Sequence, residues 1–245
     1  MEFSWTQIII GLISALLVGF GKTGVPAVSI FNVMLMASIF PAKQSVGILL
    51  PMLIVGDIVA VTYYRRQVIW KHLISLIPWV LAGIVIGYFV LLKVHNEQLK
   101  VMIGILVLLL VALHFIRERW GEKINRFMLS RKFNASMGVL AGFATMIGNA
   151  AGGVMAIYLL SKKLPKHQFV ATGAWFFLTV NLIKIPFNIS LGLLNWQILQ
   201  YAALMIPVIL VGTWIGIKLL PKIPQKHFQS LILVLSVIGA IDLML

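Results

Sequence analysis

The sequence contains no cysteine, and only six of its 245 residues are acidic. The absence of cysteine excludes disulfides, iron–sulfur clusters and thiolate metal sites. Charged residues make up 11% of the chain and hydrophobic residues 61%, with a mean hydropathy of +1.04. So few polar residues cannot cover a soluble globule. The composition predicts an integral membrane protein that has no room for a cofactor-binding or nucleotide-binding domain.

Positive charge is the one polar feature in excess, because 20 Lys and Arg residues give a formal net charge of +14. In a soluble protein this excess would suggest binding to nucleic acid. Here the basic residues lie in short loops between apolar runs, where they set the orientation of the chain in the membrane. We therefore expect the lipid bilayer, and not nucleic acid, to be the partner of these residues.

Long apolar runs divide the chain into membrane segments. Two pairs of shorter runs are each interrupted by glycines: 4–20 with 25–40, and 134–147 with 153–161. The first run lacks a basic leader and a small-residue cleavage site, so we expect mature structure and not a signal peptide. The runs long enough to cross, or nearly cross, a hydrocarbon core of about 30 Å are 44–64, 73–93, 99–116, 168–187, 196–220 and 227–245.

The hydrophobic pattern starts again halfway along the chain. Polar, aromatic and glycine positions recur in the same order, at an offset that drifts from 123 to 129. Such a duplication inside a membrane protein is typical of a transporter. The matched positions are Gly19-Phe20 with Gly142-Phe143, Pro41 with Pro165, Gln44 with Gln168, Val46 with Val170, Trp70 with Trp196, Pro78 with Pro207, and Gly83/Gly87 with Gly212/Gly216.

The basic residues indicate how the two halves are oriented. If each glycine-interrupted pair enters the membrane and returns, sixteen basic residues share one face and three (Lys43, Lys93 and Lys100) lie on the other. If each pair were one interrupted crossing, the charges would divide evenly, so the positive-inside rule favours the first arrangement. The sixteen are Lys22, Arg65, Arg66, Lys71, Arg117, Arg119, Lys123, Arg126, Arg131, Lys132, Lys162, Lys163, Lys166, Lys218, Lys222 and Lys226.

Each half then crosses an odd number of times, so the second half is inverted relative to the first. The predicted fold is an all-α integral membrane protein with two inverted-topology repeats, each a glycine-broken helical hairpin plus three transmembrane helices. The first repeat covers 1–116, a basic cytoplasmic linker covers 117–132, and the second repeat covers 133–245. We expect the bacterial inner membrane, with both termini on the non-cytoplasmic side. Whether the hairpins cross fully or are re-entrant stays open, as does assembly into a homo-oligomer.

The two glycine breaks are the first candidate site. Exposed backbone inside a membrane needs protein, water or substrate as its partner, because lipid offers none. A helix N-terminus at each break favours an anion. The alternative is that the glycines only permit close helix packing, which is what we expect for Gly83, Gly87, Gly212 and Gly216. The candidate binding residues at the breaks are Lys22, Thr23, Gly24, Thr145, Gly148, Asn149, Gly152 and Gly153.

Asn181 and Lys184 form the second candidate site. They lie three residues apart on one helix face within an apolar run. A lysine near the membrane centre costs about 3 kcal/mol to insert, so it usually faces a cavity or a partner, although it can also snorkel toward an interface. Asp57 matches Asn181 in the first half. It is expected to neutralise a lysine, to carry protons, or to be hydrogen bonded within the bundle, and we favour a structural ion pair.

These residues resemble a known family. The motif Gly-Lys-Thr-Gly-Val-Pro at 21–26, the motif Ile-Gly-Asn-Ala-Ala-Gly-Gly at 147–153, and Asn181-x-x-Lys184-x-Pro186 are similar to those of the sulfite exporter TauE/SafE family. The resemblance covers essentially the whole chain. It implies secondary transport of a sulfur-containing or organic anion, such as sulfite, sulfoacetate or a related sulfonate.

The leading hypothesis is a secondary transporter that binds a small anion at the midplane and exposes it alternately to the two sides. The alternatives are a passive anion channel and a structural membrane subunit that transports nothing. An enzyme is not expected, because the sequence has no motif that joins a nucleophile to a base. The histidines lie in or beside loops and at a span end, so no metal site and no cofactor are predicted.

The charge asymmetry predicts that the loop containing residue 123 is cytoplasmic. The variant Lys123→Cys supplies the single thiol of an otherwise cysteine-free chain. An impermeant thiol reagent should label it in inside-out vesicles and leave it unlabelled in intact cells. Labelling in intact cells alone would contradict the inverted-repeat arrangement.

Overall fold

The computed structural model describes residues 4–23, 28–106, 108–109, 112, 130–162 and 164–219. These residues form α-helices, one short 3₁₀ turn (Arg65–Gln67) and connecting loops, without a strand. The helices are α1 (Trp5–Thr23), α2 (Val28–Ile39), α3 (Ala42–Tyr64), α4 (Trp70–Lys93), α5 (96–106), α6 (Arg131–Gly148), α7 (Gly152–Ser161), α8 (Lys166–Ser190) and α9 (Trp196–Leu219).

Five helices are long and apolar enough to cross a membrane: α1, α3 with its 3₁₀ extension, α4, most of α8, and α9. The chain is therefore an integral membrane protein, as its composition predicts. Four of the predicted spans coincide with α3, α4, α8 and α9. Of the other two, 99–116 is described only in its first part, and 227–245 lies outside the described residues.

The first glycine-interrupted pair differs from the prediction in where its helix ends. Helix α1 runs without a break for 19 residues through Gly19 and Gly21 to Thr23, so it is itself long enough to span. Helix α6 passes through Gly142 and ends at Gly148, one residue beyond the predicted run 134–147. A glycine inside a helix costs about 1 kcal/mol relative to alanine, but in a membrane a broken helix would leave polar backbone groups without partners. The helices therefore continue past these glycines.

Local sequence accounts for several helix starts. Helices α3 and α8 each begin directly after a proline, Pro41 or Pro165, whose carbonyl accepts the first helical hydrogen bond. A proline at that position costs no helical hydrogen bond, because the residue before the first turn does not need to donate an N–H. Helix α6 begins directly after Ser130, whose hydroxyl accepts from the Phe133 N–H, as an N-cap serine does.

Two pairs of helices approach each other closely at glycines. On α1 and α9, a Cβ added to Gly19 would overlap the Ile209 carbonyl, and one added to Gly212 would overlap the Leu16 carbonyl. On α4 and α6, a Cβ on Gly83 would overlap the carbonyl of Val139 in the same way. Gly87 and Gly216 also face the neighbouring helix. The packing role predicted for these glycines of α4 and α9 is confirmed, and the close approach is what small residues permit in membranes.

Helices α3 and α8 lie between these two pairs and pack against each other. They are the most buried of the five candidate spans. Polar side chains on these two helices are therefore held in the interior, away from the lipid. This central pair of helices supplies the charged residues of the candidate site.

Gly83→Ala tests the close packing of α4 on α6. The new Cβ would overlap Val139 O and lie 2.8 Å from Phe143 N, so the backbones must separate. We expect a loss of stability of about 1–3 kcal/mol, measured by thermal unfolding in detergent. Gly173→Ala on α8 is the control, because its Cβ would meet only Leu159 Cδ1, at 3.5 Å. Equal melting temperatures for the two variants would contradict this account.

Candidate functional site

A small cavity lies among α1, α2, α3, α6 and α8. Its volume is about 40 Å³, on a scale on which one water molecule needs about 10–15 Å³. It therefore has room for a few waters or one small ion. Apolar side chains such as Leu49 and Phe177 form much of its wall. The polar residues that line it are Lys22, Ser29, Asn32, Thr145, Asn149 and Asn181.

Lys22 reaches this cavity from the last turn of α1 and forms an ion pair with Asp57 of α3. Its Nζ lies 2.7 Å from Asp57 Oδ1, and the other carboxylate oxygen accepts a hydrogen bond of 2.7 Å from Asn181 Nδ2. Both Asp57 and Asn181 are buried. A buried carboxylate needs such partners, because its desolvation is costly. The ion pair predicted for Asp57 is therefore present, and its lysine is Lys22.

Two neighbours fit the Lys22 side chain into the interior. Gly56 leaves room for its aliphatic stem, since a Cβ there would lie 3.0 Å from Lys22 Cγ. The ammonium nitrogen lies 4.3 Å from the centroid of the Phe177 ring, close enough for a cation–π contact. Lys22 therefore meets a carboxylate, an aromatic face and the cavity at the same time.

Lys184 is fully buried on α8, with 0% of its surface exposed. Its Nζ donates to Thr145 Oγ1 at 3.2 Å and to Asn149 Oδ1. The snorkelling alternative is therefore wrong, because a snorkelling lysine would carry its ammonium to the membrane surface. Thr145 and Asn149 line the cavity, whereas Lys184 is not among the lining residues. Thr145 and Asn149 therefore lie between the ammonium group of Lys184 and the cavity.

Asn149 holds the end of α6 in place. It has a left-handed backbone with φ of 54°, a conformation that asparagine adopts more readily than most residues. Its Nδ2 donates to the Val46 carbonyl of α3 at 3.1 Å, while its Oδ1 accepts from Lys184. The turn after α6 is thereby tied to both central helices.

The remaining predicted residues lie elsewhere. The Thr23 hydroxyl donates to the carbonyls of Gly19 and Thr213, where α1 meets α9, and Thr23 is not among the lining residues. Gly148 ends α6 beside Ile103, and Gly152 and Gly153 begin α7 without lining the cavity. Gly24 lies outside the described residues. The predicted breaks thus contribute Lys22, Thr145 and Asn149 to the cavity.

Sequence reasoning missed Asn32 and Ser29 of α2, and also Phe177 of α8, all of which line the cavity. Asn32 is buried, with 2% of its surface exposed. It is the one amide side chain in the apolar run 25–40, and that contrast is a signal that could have identified it. Phe177 had no such signal, because it is one of 14 phenylalanines in an apolar chain.

The buried charges around the cavity do not cancel. Lys22 and Lys184 contribute two positive charges and Asp57 one negative charge, and the other acidic residue in the described ranges, Glu97, is exposed. With all three groups charged, one positive charge remains, surrounded by neutral hydroxyl and amide groups. In an interior of low dielectric constant this excess attracts a small anion. The described residues contain no group of three or more His, Asp or Glu that could hold a metal ion.

Removing the carboxylate of Asp57 should destabilise the protein. Asp57→Asn leaves the Lys22 ammonium buried without its counter-ion, at a cost of about 3–5 kcal/mol. The double variant Lys22→Gln/Asp57→Asn should lose less than the sum of the two single variants. The control is Glu97→Gln, because the Glu97–Lys100 pair is exposed and 3.4 Å long. Thermal unfolding of Asp57→Asn at the wild-type temperature would contradict the structural role of this pair.

Comparison with known proteins gives one match. The model of the family described as sulfite exporter TauE/SafE matches residues 6–243. No curated protein and no solved structure matches the chain. The family match covers nearly the whole sequence, including every residue of the cavity. The chain belongs to the sulfite exporter TauE/SafE family.

Proposed function

We propose that this protein is a secondary transporter that moves sulfite, sulfoacetate or a related sulfonate across the membrane by alternating access. Family membership implies a membrane exporter of sulfite or a related anion, and a transporter in place of an enzyme. The choice of anion, the mechanism and the binding residues are our proposal. The observation that carries it is the single unbalanced positive charge beside a small polar cavity.

The cavity offers several donors to an anion. Lys22 lines it directly with a charged ammonium group. The Thr145 hydroxyl oxygen accepts from Lys184, which leaves its own hydrogen free to donate into the cavity. Asn181 uses one amide hydrogen on Asp57 and has a second available. Lys184 would thus orient the Thr145 hydroxyl and attract the anion electrostatically from a distance, while Lys22 would contact the anion directly.

The proposed inverted repeat is supported by the way the helix pairs correspond. The sequence match equates α1 with α6 and α4 with α9, so the α1–α9 contact has α6–α4 as its counterpart. Gly19 and Gly142, which match in sequence, each face the backbone of a partner helix. Asp57 and Asn181 also match, and they contact each other. A local two-fold axis would pass close to such a contact.

Alternating access then requires the halves to move against each other around the cavity. The repeats 1–116 and 133–245 would rock while 117–132 joins them on the cytoplasmic side. The glycines that the sequence analysis assigned to binding, Gly24, Gly148, Gly152 and Gly153, would bring backbone toward the anion as the halves move. Both termini would lie on the non-cytoplasmic side of a bacterial inner membrane.

Lys184→Gln tests the binding charge. The variant keeps a hydrogen-bonding side chain but removes the positive charge, so anion affinity should fall about tenfold or more. Lys184→Arg should rescue only partly, because a planar guanidinium does not replace a compact ammonium between Thr145 and Asn149. The control is Lys218→Gln at the end of α9, where Nζ lies 3.9 Å from the centroid of the Trp214 ring, away from the cavity.

The measurement is sulfite uptake into proteoliposomes, together with binding to the purified protein. A transporter should show saturation and faster uptake when the vesicles are preloaded with sulfite. A passive channel would show no stimulation by preloading, and a structural subunit would show no uptake. Equal affinity in Lys184→Gln and wild type would remove Lys184 from the site.

A further inference from the structure

A groove runs along the exposed side of α3 and ends at two arginines. Its volume is about 610 Å³, which is within the range of pockets that bind a ligand. We name it the α3 groove. The described residues that line it come from the end of α3 and from the 3₁₀ turn, and they are Ile58, Val59, Thr62, Tyr63, Tyr64, Arg65, Arg66 and Gln67.

The α3 groove is apolar at one end and positively charged at the other. Ile58 has 50% of its surface exposed on a helix that is apolar enough to cross a membrane. Arg65 and Arg66 follow two turns later in the chain, about 10 Å further along the helix axis. Between them, the Thr62 hydroxyl donates to the Ile58 carbonyl at 2.7 Å and so does not need water. The groove therefore has a wall suited to hydrocarbon that leads to two cations.

No described carboxylate neutralises these arginines. The acidic residues in the described ranges are Asp57, which is buried in its own ion pair, and Glu97, which lies in α5. Arginine stays charged at any working pH, and its planar guanidinium can bind a phosphate through two hydrogen bonds. Arg65 and Arg66 are exposed. They can therefore reach an anionic headgroup.

Aromatic side chains indicate the depth of the arginines in the membrane. Tyr63 is 60% exposed, and Trp70 at the start of α4 is 46% exposed. Exposed Tyr and Trp favour the boundary between hydrocarbon and headgroups. Arg65 and Arg66 lie between them, at the end of a candidate span. Their guanidinium groups are thus at the depth of lipid phosphates, whereas Ile58 is at the depth of acyl chains.

A second groove provides a contrast. It lies between α4 and α6 and has a volume of about 450 Å³. Its lining residues are uncharged, and they are Trp79, Ala135, Ser136, Val139, Leu140 and Phe143. An acyl chain in this second groove would be held by apolar contact, whatever headgroup it carried. The positive end is the feature that distinguishes the α3 groove.

We propose that the α3 groove binds an anionic phospholipid, with the phosphate on Arg65 and Arg66 and an acyl chain along Ile58 and Val59. A free inorganic anion would contact only the arginines, whereas a lipid also covers the apolar wall. This lipid site is separate from the proposed transport site, because the α3 groove and the cavity have no lining residue in common.

The test compares two lipids that have the same acyl chains and different headgroup charge. Palmitoyl-oleoyl phosphatidylglycerol carries one negative charge, and palmitoyl-oleoyl phosphatidylcholine carries no net charge. Binding of each to the purified, delipidated protein in detergent is measured by native mass spectrometry. We expect the first phosphatidylglycerol to bind about tenfold more tightly than the first phosphatidylcholine, because two arginines attract its phosphate. Equal affinities in the wild-type protein would overturn the proposal.

The variant Arg65→Gln/Arg66→Gln should bind the two lipids about equally well, with the loss confined to phosphatidylglycerol. The matched control is Lys93→Gln/Lys218→Gln, which removes the same amount of positive charge from exposed positions outside the groove. The control should keep the wild-type preference. If the arginine variant keeps the preference, or if the control loses it to the same extent, the headgroup is not bound by these arginines and the proposal is wrong.

Photocrosslinking locates the lipid in the wild-type protein without any variant. The probe is a phosphatidylglycerol with a diazirine near the carboxyl end of one acyl chain, and the labelled peptide is identified by mass spectrometry. We expect label on the end of α3, suppressed by excess phosphatidylglycerol but not by glycerol 3-phosphate, which has the phosphate without the chains. Suppression by glycerol 3-phosphate would indicate a site for a free anion. Label confined to the second groove would place the lipid there. Either result would overturn the proposal.

Discussion

A lysine inside a membrane must find hydrogen-bond partners, and in this protein that requirement brings four helices together. Lys22 of α1 meets Asp57 of α3, and Lys184 of α8 meets Thr145 of α6 and Asn149 beyond its end. Asn181 joins α8 to the carboxylate on α3. None of these groups could be left alone in the apolar interior without a cost of several kcal/mol. The arrangement of the bundle around the cavity depends on these contacts.

The two lysines satisfy this requirement with different chemistry. Lys22 is neutralised by a carboxylate, whereas Lys184 is held by neutral oxygens of a hydroxyl and an amide. Neutral oxygens solvate an ammonium but do not cancel its charge. The second half of the chain therefore supplies the unbalanced charge, and the first half supplies the lysine that reaches the cavity. The two halves therefore differ in the partners that hold their buried lysines.

Much of the fold could be read from the sequence, because apolar run length and glycine spacing are local signals. The spans now seen as α3, α4, α8 and α9 were predicted within a few residues, as was the packing role of Gly83 and Gly212. The end of α1 was misplaced, because glycines were taken as helix breakers. Within a membrane the demand for internal backbone hydrogen bonds outweighs the weak helix propensity of glycine.

The site was harder to predict, because it depends on which residues meet across helices. Polarity alone identified Lys22, Asp57, Asn181 and Lys184, but it could not show that Lys22 and not Lys184 pairs with Asp57. Nor could it show that Thr23 turns toward α9. These contacts depend on how each helix is rotated about its axis and on residues that are far apart in the sequence. Neither can be determined from one amino-acid sequence alone.

The contact of α1 with α9 joins two helices that are far apart in the sequence. The hydrogen bond from Thr23 to the Thr213 carbonyl spans 190 residues, which takes about 10 to 40 s to synthesise at about 5–20 residues per second. The contact of α4 with α6 can form much sooner, because Gly83 and the Val139 on which it packs are closer together in the sequence. During synthesis the glycine face of α1 must therefore rest against lipid or the insertion machinery until α9 has been made. The side of α1 that packs on α9 is therefore buried later than Lys22, whose partner Asp57 follows only 35 residues behind it.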